Sequence, residues 1–408
     1  MKVLFALVLM AGVLSAGCFV NVTQYIHPDG STVFVGDFYN DAEGPGYGPA
    51  EVSGKVYDAA GNLIGNAGGY LCPGGVYPKG MIPFKAWVGP TAAKPARVDW
   101  SVIDPPANPY LATGLTAKVT NTYTIGSQTY VVGEATNNSK NIYVAATICA
   151  SWTDANGHVV RETWNNGGAW RFNPGDVLPF SINVDAPPAD STIHFYLDAG
   201  RTDVPGYVAP NTLSIPLSAL QHSFQQTLPA PGGGFVTLGM GEVKNTGSGH
   251  FLADAVANVT DASGKLLATR GEPSQCIVDA PPGGITYMSY TVTANVATPP
   301  KITLQGVQYN NGTVYFPKTS DLLFKVDNAT HLVTVTGTLT NTSAAVLKSA
   351  NVCAAAYDHG GIVRNIGMTN LDLPPAGLAV GAKVPFTVIM SAPAGITSVK
   401  AIADGVDK

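Results

Sequence analysis

Residues 52–65, VSGKVYDAAGNLIG, contain the local pattern on which the fold prediction rests. An alternating strand runs to Tyr57, a tight turn follows from Asp58 to Gly61, and a second strand begins at Leu63. Asp can accept a hydrogen bond from its own backbone two residues on, and Gly adopts positive φ without steric cost. The stretch therefore predicts a short antiparallel hairpin.

The same pattern occurs four times along the chain. Its later copies are ATICASWTDANGHVV at 146–160, AVANVTDASGKLLA at 255–268 and VCAAAYDHGGIV at 352–363. The shared turn aspartates are Asp58, Asp154, Asp261 and Asp358, and a glycine of the preceding strand recurs at Gly36, Gly133, Gly241 and Gly337. The first and third aspartates are 203 residues apart and the second and fourth 204, whereas neighbouring copies are separated by 96, 107 and 97. This spacing indicates a two-domain unit that duplicated as a pair.

Composition supports many short strands joined by turns. Hydrophobic residues make up 45% of the 408 residues, charged residues only 12%, and there are 46 Gly and 30 Pro. Each copy spans about 100 residues, the size of one immunoglobulin-like sandwich. The sequence predicts an all-β chain of four tandem immunoglobulin-like β-sandwich domains after a signal peptide. The expected domain boundaries are 18–104, 105–206, 207–308 and 309–408.

The N-terminal residues 1–17, MKVLFALVLMAGVLSAG, have the features of a secretory signal peptide: one Lys, an apolar run and small residues. Cys18 follows directly, as in a bacterial lipobox, although Ser15 occupies the position where Leu or Val is usual. Lipidation of Cys18 and ordinary cleavage after Ala16 or Gly17 are both open. We expect an exported protein at the cell surface or outside the cell, anchored through Cys18 if that residue is lipidated.

Four further cysteines, one in each predicted domain, show a matched spacing. Cys72 and Cys149 are 77 residues apart, and so are Cys276 and Cys353. Four cysteines allow three pairings, and four buried thiols are the alternative. The equal spacing in an exported chain predicts the disulfides Cys72–Cys149 and Cys276–Cys353, each linking two adjacent domains.

Strand alternation gives a reason for that prediction. Residues two, four and six positions before the turn Asp should face the domain's own core. In the second copy these are Trp152, Ala150 and Ile148, and in the fourth Ala356, Ala354 and Val352. Cys149 and Cys353 lie five positions before the Asp, so they should face outward, toward a neighbouring domain.

The pattern resembles the FxLYD and related immunoglobulin-like domains of prokaryotic exported proteins. Matching positions are Tyr57-Asp58, Gly61, Leu63, Tyr357-Asp358, Gly361, and, at a later Pro-Gly turn, Pro174-Gly175 with Phe180. The second and third copies depart from it, with Trp152-Thr153 and Val259-Thr260 before the Asp. The resemblance covers most of the chain after the signal peptide. It implies fold and export, with no activity to carry over.

Motifs for chemistry are sparse, so we expect a non-enzymatic protein without cofactor or metal. The sequence contains no phosphate loop, no nucleophile elbow and no His or Cys pair at metal-ligand spacing. Each Asp turn offers one carboxylate, whereas a calcium loop needs six or more oxygen ligands. The net charge of −5 without a Lys/Arg run excludes a nucleic-acid footprint.

Two weaker patterns concern carbohydrate. Exposed Trp rings can stack on sugars while neighbouring polar side chains bind the sugar hydroxyls. The candidates are Trp164, Trp170, Arg161 and Arg171. Trp152 is not among them, because strand alternation predicts that it faces the core. Glycosylation triplets begin at Asn21, Asn137, Asn258, Asn311, Asn328 and Asn341. Asn137 and Asn341 occupy equivalent strand-end turns, which we expect to be exposed. About four such triplets are expected by chance in so Asn- and Thr-rich a chain.

The sparse charge leaves two interpretations of the surface. A surface poor in charge packs against other molecules, including copies of itself, or it is simply covered by Thr, Asn and Ser. The sequence therefore favours a structural protein, a rod of linked domain pairs whose partners are itself or other envelope proteins. A surface module that binds glycans or proteins is the alternative.

Overall fold

The computed structural model describes most of the chain after the predicted signal peptide. The described residues are 17–41, 46–47, 50–72, 76–91, 93–103, 107–108, 112–166, 171–201, 211–215, 220–229, 234–261, 263–272, 276, 278–294, 301–309, 314–327, 329–391 and 395–407. In these residues the regular elements are all β-strands, which confirms the predicted all-β class. The predicted signal peptide, apart from Gly17, lies outside them.

The chain divides into two compact units, Met1–Pro205 and Gly206–Lys408. The strands of the first unit are β1 (Cys18–Ile26), β2 (Thr32–Tyr39), β3 (Gly46–Tyr47), β4 (Glu51–Tyr57), β5 (Leu63–Leu71), β6 (Met81–Val88), β7 (Arg97–Ile103), β8 (Ala107–Asn108), β9 (Leu115–Ile125), β10 (Gln128–Asn137), β11 (Tyr143–Thr153), β12 (Val159–Asn166), β13 (Val177–Asp185) and β14 (Thr192–Arg201).

After its first strand, the second unit repeats the order of the first, except that its described residues include no counterparts of the short strands β3 and β8. Its strands are β15 (Asn211–Ile215), β16 (Leu220–Pro229), β17 (Phe235–Lys244), β18 (His250–Thr260), β19 (Leu266–Glu272), β20 (Ile285–Ala294), β21 (Lys301–Tyr309), β22 (Lys318–Asp327), β23 (Leu332–Thr340), β24 (Ser349–Asp358), β25 (Val363–Asn370), β26 (Lys383–Ser391) and β27 (Ile396–Val406). We call residues 18–103, 107–201, 211–309 and 314–407 repeats 1 to 4.

The main sheet of repeat 1 is antiparallel, in the order β1-β2-β6-β5-β4-β7, and the short strand β3 pairs separately with β8. Its two edge strands meet, because the ring of Phe19 in β1 lies 5.6 Å from that of Trp100 in β7. Trp100 also packs against Phe34 and Phe84, at 5.4 and 5.2 Å between ring centroids. The sheet therefore curls around one apolar core.

Repeats 2 and 4 each consist of two three-stranded sheets around one core. In repeat 2 the sheets are β13-β10-β9 and β12-β11-β14, and in repeat 4 they are β22-β23-β26 and β25-β24-β27. The central strands β11 and β24 contribute Ile148, Ala150 and Trp152, or Val352, Ala354 and Ala356, to these cores. These are the residues that strand alternation predicted to face inward. Repeat 3 has sheets β15-β21-β18-β19 and β16-β17-β20.

The predicted Asp turns form in all four repeats. In repeat 1, Oδ1 of Asp58 accepts hydrogen bonds from the backbone N–H groups of Ala60 and Asn62, both at 2.9 Å, and Gly61 has φ of 85°. The Asn62 side chain, followed by these backbone groups, holds the pKa of Asp58 below its ordinary value. Asp154, Asp261 and Asp358 accept the same two backbone bonds. The turn Asp therefore has a structural role.

The shared glycine makes room for an aromatic ring in three repeats. A Cβ on Gly36 would lie 2.8 Å from the ring of Phe84, and one on Gly337 would lie 2.6 Å from Phe386. Gly133 faces Phe180 in the same way. In repeat 3 no aromatic ring takes this place: a Cβ on Gly241 would instead lie 3.0 Å from the Cβ of Ser223.

Four residues after this glycine, every repeat has a buried Asn. These residues are Asn40, Asn137, Asn245 and Asn341, all 3% exposed or less. In repeat 4 the Asn341 Nδ2 donates to the carbonyls of Ala345 and Leu378, both at 2.8 Å, and Oδ1 accepts from the Ser343 N–H at 3.0 Å. The side chain thus joins the turn after β23 to the loop before β26.

We expect Asn341→Ala to destabilise the protein by about 2 kcal/mol, because two buried carbonyls lose their donor. Urea unfolding monitored by far-ultraviolet circular dichroism measures the change, because all five Trp residues belong to the first unit. Thr342→Ala, at the exposed neighbouring position, is the matched control and should change stability by less than about 0.5 kcal/mol. Equal unfolding midpoints for the two variants would contradict the assigned role.

Candidate functional site: the disulfide-linked junctions

The two repeats of each unit meet in a buried contact, which we call the junction. In the first unit, Cys149 of β11 packs with the core residues of repeat 1, whereas its sequence neighbours Ile148 and Ala150 pack in repeat 2. Cys149 and Cys353 are fully buried. The prediction that these cysteines point away from their own core is therefore confirmed.

A disulfide closes each junction. Cys72, directly after β5, pairs with Cys149, with Cα atoms 6.0 Å apart, and Cys276 pairs with Cys353 at 5.6 Å. This agrees with the pairing predicted from the equal spacing. Two such bonds indicate an oxidising environment of the kind that exported proteins meet.

Apolar side chains seal the junction of the first unit. Val33 and Val35 of β2 form a buried cluster with Val159 of β12. The Thr23 hydroxyl donates to the carbonyl of Val159, and the Arg161 guanidinium lies 4.2 Å from the centre of the Tyr25 ring. Strand β2 is consequently buried on both sides, which its nearly uninterrupted apolar sequence reflects.

The junction of the second unit contains two buried tyrosines, Tyr287 and Tyr357. Its buried cluster joins residues of repeat 3 to residues of repeat 4: Cys276, Val278 and Tyr287 with Cys353, Ala355, Tyr357, Val363 and Ile366. Alternate residues of β24 thus serve the repeat core and the junction, which accounts for its run of small apolar residues.

A buried carboxylate, Glu242, lies at the centre of this junction. It accepts hydrogen bonds from Lys400 Nζ and His222 Nδ1, both at 2.8 Å, and from the Tyr357 hydroxyl. Burial acts to raise the pKa of Glu242, but the hydrogen bonds from Lys400, Tyr357 and His222 outweigh it and lower the pKa. The acid and His222 belong to repeat 3, and the other two partners belong to repeat 4.

Asp37 is the counterpart of Glu242 in repeat 1, since each directly follows the shared glycine. Asn21 Nδ2 donates to Asp37 Oδ2 at 3.1 Å. Asn21 and His222 both sit at β-bulges with positive φ, 55° and 49°, so the same bulge aims a polar side chain at the same acid. Burial raises the pKa of Asp37, with Asn21 and the charge of His194 opposing it.

The basic partners are also equivalent. His194 pairs in the strand ladder with Ser151, and Lys400 pairs with Ala355. Ser151 and Ala355 each lie three residues before a turn Asp. Both units therefore place an acid from the first repeat near a base from the second, beside a disulfide.

Glu162 is a buried acid that only the first unit has. It is 1% exposed, its Oε1 lies 3.4 Å from Cys149 Sγ, and its Oε2 has no hydrogen-bond partner among the described residues. Burial raises the pKa of Glu162 to about 7, with the charge of Lys85 acting in the opposite direction. In repeat 4 the equivalent position, eight residues after the turn Asp, is the apolar Ile366.

The second unit has a further buried acidic contact. Asp404 Oδ2 accepts the Asp279 N–H at 2.9 Å, and Asp404 Oδ1 accepts from Asn351 Nδ2 at 3.0 Å. His250 Nδ1 lies 2.7 Å from Asp279 Oδ2. Burial raises the pKa of Asp404 to about 6. This contact also joins repeat 3 to repeat 4.

The predicted sugar-binding residues do not form one cluster. Trp164 is 46% exposed and pairs in the ladder with Cys149, at the edge of the junction. Arg161 instead packs on Tyr25, and Arg171 Nε donates to Asn173 Oδ1 at 2.9 Å. Trp170 lies outside the described residues.

The expected exposure of the glycosylation candidates Asn137 and Asn341 is wrong. Both are fully buried, because the amide nitrogen of each donates to two backbone carbonyls. Asn258 is also buried, with its Oδ1 accepting from Thr269. Asn21 bonds Asp37. Asn311 and Asn328 lie outside the described residues.

Cys18 begins β1, half-buried and outside any disulfide. Within the described ranges, no helix is long and apolar enough to span a membrane. The same residues contain no cluster of three or more His, Cys, Asp or Glu side chains arranged to hold a metal ion.

Sequence reasoning missed the buried acids at the junctions. One sequence feature indicates them: Asp37 and Glu242 each directly follow the shared glycine, within a mostly apolar strand. The partners of these acids come from distant strands, which no local pattern reveals.

No family model matches the chain, and no curated protein matches it. One similar solved structure is dimeric latent PorU from Porphyromonas gingivalis, with 11% identity, a TM-score of 0.15, and coverage of 76% of this chain and 36% of that one. Another is native E. coli alpha-2-macroglobulin, with 9% identity, a TM-score of 0.14, and coverage of 97% and 27%. The chain thus spans well under half of either protein, and these TM-scores are too low to relate the folds.

We expect Glu162→Gln to remove a pH dependence of stability. The folded-state pKa is raised from 4.5 to about 7, so the unfolded chain releases this proton first as the pH rises. The protonated Glu162 therefore contributes its whole share of the unfolding free energy below pH 4.5. That share decreases by about 3 kcal/mol as the pH rises from 4.5 to 7.

Urea unfolding at a series of pH values between 4.5 and 8 measures this effect. The difference in unfolding free energy between the native chain and Glu162→Gln should fall across that window. Glu51→Gln, at an exposed acid, should give a curve parallel to the native one. A parallel curve for Glu162→Gln as well would show that this carboxyl ionises normally.

Proposed function

We propose that this chain is a non-enzymatic, exported structural protein that takes part in a cell-surface or extracellular assembly. Its four repeats are proposed to be tandem immunoglobulin-like β-sandwich domains of the FxLYD-like kind, arranged as a duplicated two-domain unit. Export would follow removal of residues 1–17, with Cys18 as a site for a lipid anchor.

The observation that carries the proposal is the repeated junction. Each unit uses a disulfide, a bulge residue, a buried acid and a base at equivalent positions to join two repeats. A buried pair of charges stabilises little by comparison with apolar packing, but it favours one relative arrangement of its partners. Such junctions suit a protein whose task is to hold domains in a set order.

The use of ionisable side chains supports a structural role over catalysis. The acids with raised pKa values at the junctions, Asp37, Glu162 and Asp404, are at least nine-tenths buried and pack against the neighbouring repeat. Groups with perturbed pKa values mark active sites when they line an open cleft. In this protein the raised pKa values belong to acids that are buried where two repeats meet, not to acids that line an open cleft.

Assembly of the mature chain tests the proposal. We expect sedimentation velocity to show association that increases with concentration, and electron microscopy to show ordered particles, because the surface carries little charge to oppose contact. The Cys18→Ser variant is the control, since it excludes disulfide cross-linking through the free thiol. A chain that stays monomeric up to its solubility limit would contradict an assembly role.

A carbohydrate-binding module is the second candidate. Besides Trp164, the rings of Tyr70 and Trp87 are 52% and 48% exposed and lie 6.5 Å apart on one side of the repeat 1 sheet. Exposed aromatic rings of this kind offer an apolar surface with polar edges.

A glycan array distinguishes this candidate. If it is correct, the native chain binds a defined glycan set, and Trp87→Ala or Trp164→Ala reduces that binding at least tenfold. Tyr39→Ala, at the far end of β2, serves as a control for loss of an aromatic side chain. Absence of binding by the native chain would exclude the carbohydrate alternative.

A further inference from the structure

A buried carboxyl group touches the disulfide of the first unit. Glu162 Oε1 lies 3.4 Å from Cys149 Sγ, and Cys149 is bonded to Cys72. The three side chains are 1%, 0% and 3% exposed. In the second unit, Ile366 occupies the position of Glu162 and packs in the same buried cluster as Cys353. The position that brings a carboxyl to the sulfur in the first unit is therefore apolar in the second.

The strand ladder explains how this contact arises. Glu162 of β12 pairs with Ser151 of β11, which lies two residues after Cys149. Side chains two residues apart in a strand point to the same side, so the carboxyl and the sulfur both enter the junction. Oε2 of Glu162 has no hydrogen-bond partner among the described residues. The sulfur is thus the partner that the described part of the chain offers to this carboxyl.

The contact between carboxyl and sulfur can be satisfied in two ways, which differ in the position of one proton. A disulfide sulfur has no hydrogen, so the protonated carboxyl of Glu162 is then the donor. After reduction, Cys149 has an S–H group that can donate to the ionised carboxylate. The oxidised junction therefore favours neutral Glu162, and the reduced junction favours its carboxylate.

We propose that Glu162 couples the Cys72–Cys149 disulfide to pH, so that a dithiol reduces this disulfide to a greater extent above neutral pH than below it. The first junction would thereby lose its covalent link under reducing conditions that depend on pH. The inference goes beyond the proposed structural role and does not depend on assembly of the chain.

The reaction is an exchange between the disulfide and an external dithiol. The dithiol gives two electrons and two protons to the sulfurs of Cys72 and Cys149, their S–S bond breaks, and the dithiol closes to a disulfide. Glu162 is protonated in the oxidised chain and ionised in the reduced chain at intermediate pH, so it also releases one proton to water. A higher pH favours that release and therefore favours reduction.

Burial supports the sign of this coupling. It raises the pKa of Glu162 to about 7 in the disulfide-bonded chain, while the charge of Lys85 acts in the opposite direction. An S–H donor on Cys149 lowers that pKa, because a hydrogen bond to the carboxylate favours the ionised form. The reduced state thus gains stability relative to the oxidised state as the pH rises toward 7. The gain is lost in acid, where Glu162 is neutral in both states.

Other ionisable groups border the same junction and have to be separated from Glu162. They are Lys85 of β6, Tyr25 of β1, Asp37 of β2, Arg161 of β12, Asp185 of β13, and His194 and Tyr196 of β14. Histidine is the side chain that ordinarily changes its charge between about pH 5 and pH 8. The charge of His194 acts on Asp37, so we expect His194→Gln to leave the coupling intact.

The experiment equilibrates the full secreted chain, with Cys18→Ser in every variant, in buffers of reduced and oxidised dithiothreitol between about pH 5 and pH 8. Both sulfurs are buried, so the reductant reaches them when the junction opens, but the equilibrium does not depend on that rate. Free thiols are then alkylated. Peptide mass spectrometry gives the reduced fraction of each disulfide separately.

The comparison is between the native chain and Glu162→Gln. The ratio of their equilibrium constants for reduction of Cys72–Cys149 should rise about tenfold from the acidic to the basic end of the series, the size expected for one hydrogen bond to a charged group. Glu51→Gln, at an exposed acid, and His194→Gln should follow the native curve. The Cys276–Cys353 disulfide, read in the same samples, should be unaffected by Glu162→Gln.

A second measurement places a thiol at the contact without any reductant. In Cys72→Ala, the sulfur of Cys149 has a hydrogen and can donate to Glu162. The effect of Glu162→Gln on urea unfolding should therefore vary less with pH in this background than in the disulfide-bonded chain. Cys276→Ala, which removes the other disulfide, is the matched control and should leave the pH dependence at its native size.

Three results would overturn the proposal. Parallel reduction curves for the native chain and Glu162→Gln would show that the carboxyl does not sense the sulfur. An undiminished pH dependence in Cys72→Ala would show that Glu162 responds to burial alone. A reduced chain that loses the circular dichroism of its strands would show that the curves report unfolding. None of these results bears on the proposed structural role, which is tested by assembly.

Discussion

The structure depends on burying both sides of single strands. In β11 and β24, alternate side chains enter the core of their own repeat and the junction with the preceding repeat. Cys149 and Cys353 lie on the junction side, where each completes a disulfide. A disulfide across 77 residues stabilises by about 2–4 kcal/mol, mainly by restricting the unfolded chain. Apolar packing around it then determines which surfaces are in contact.

The same constraint explains the unusual placement of charge. A strand buried on both sides has no solvent-facing position, so any acid in it must find partners inside. Glu242 finds three, and its pKa is lowered despite burial. Glu162 is in β12, which also has the exposed Trp164, but its own side chain is buried with fewer partners, and burial raises its pKa to about 7. The two units thus share one architecture while differing in how fully their polar groups are satisfied.

Local chemistry in the sequence determined the strands, the Asp turns and the inward or outward phase of each side chain. These depend on a two-residue period and on turn residues that act within a few positions of the chain. The equal spacing of the cysteines also determined their pairing, because duplication preserves distances along the chain. The buried role of Asn137 and Asn341 was decided only by tertiary structure. Their amides bond carbonyls about 35 residues away, so an exposed turn and a buried anchor look alike in sequence. The partners of Asp37 and Glu242 were likewise decided by which faces pack together, since burial and its pKa shifts arise between strands that are distant in sequence.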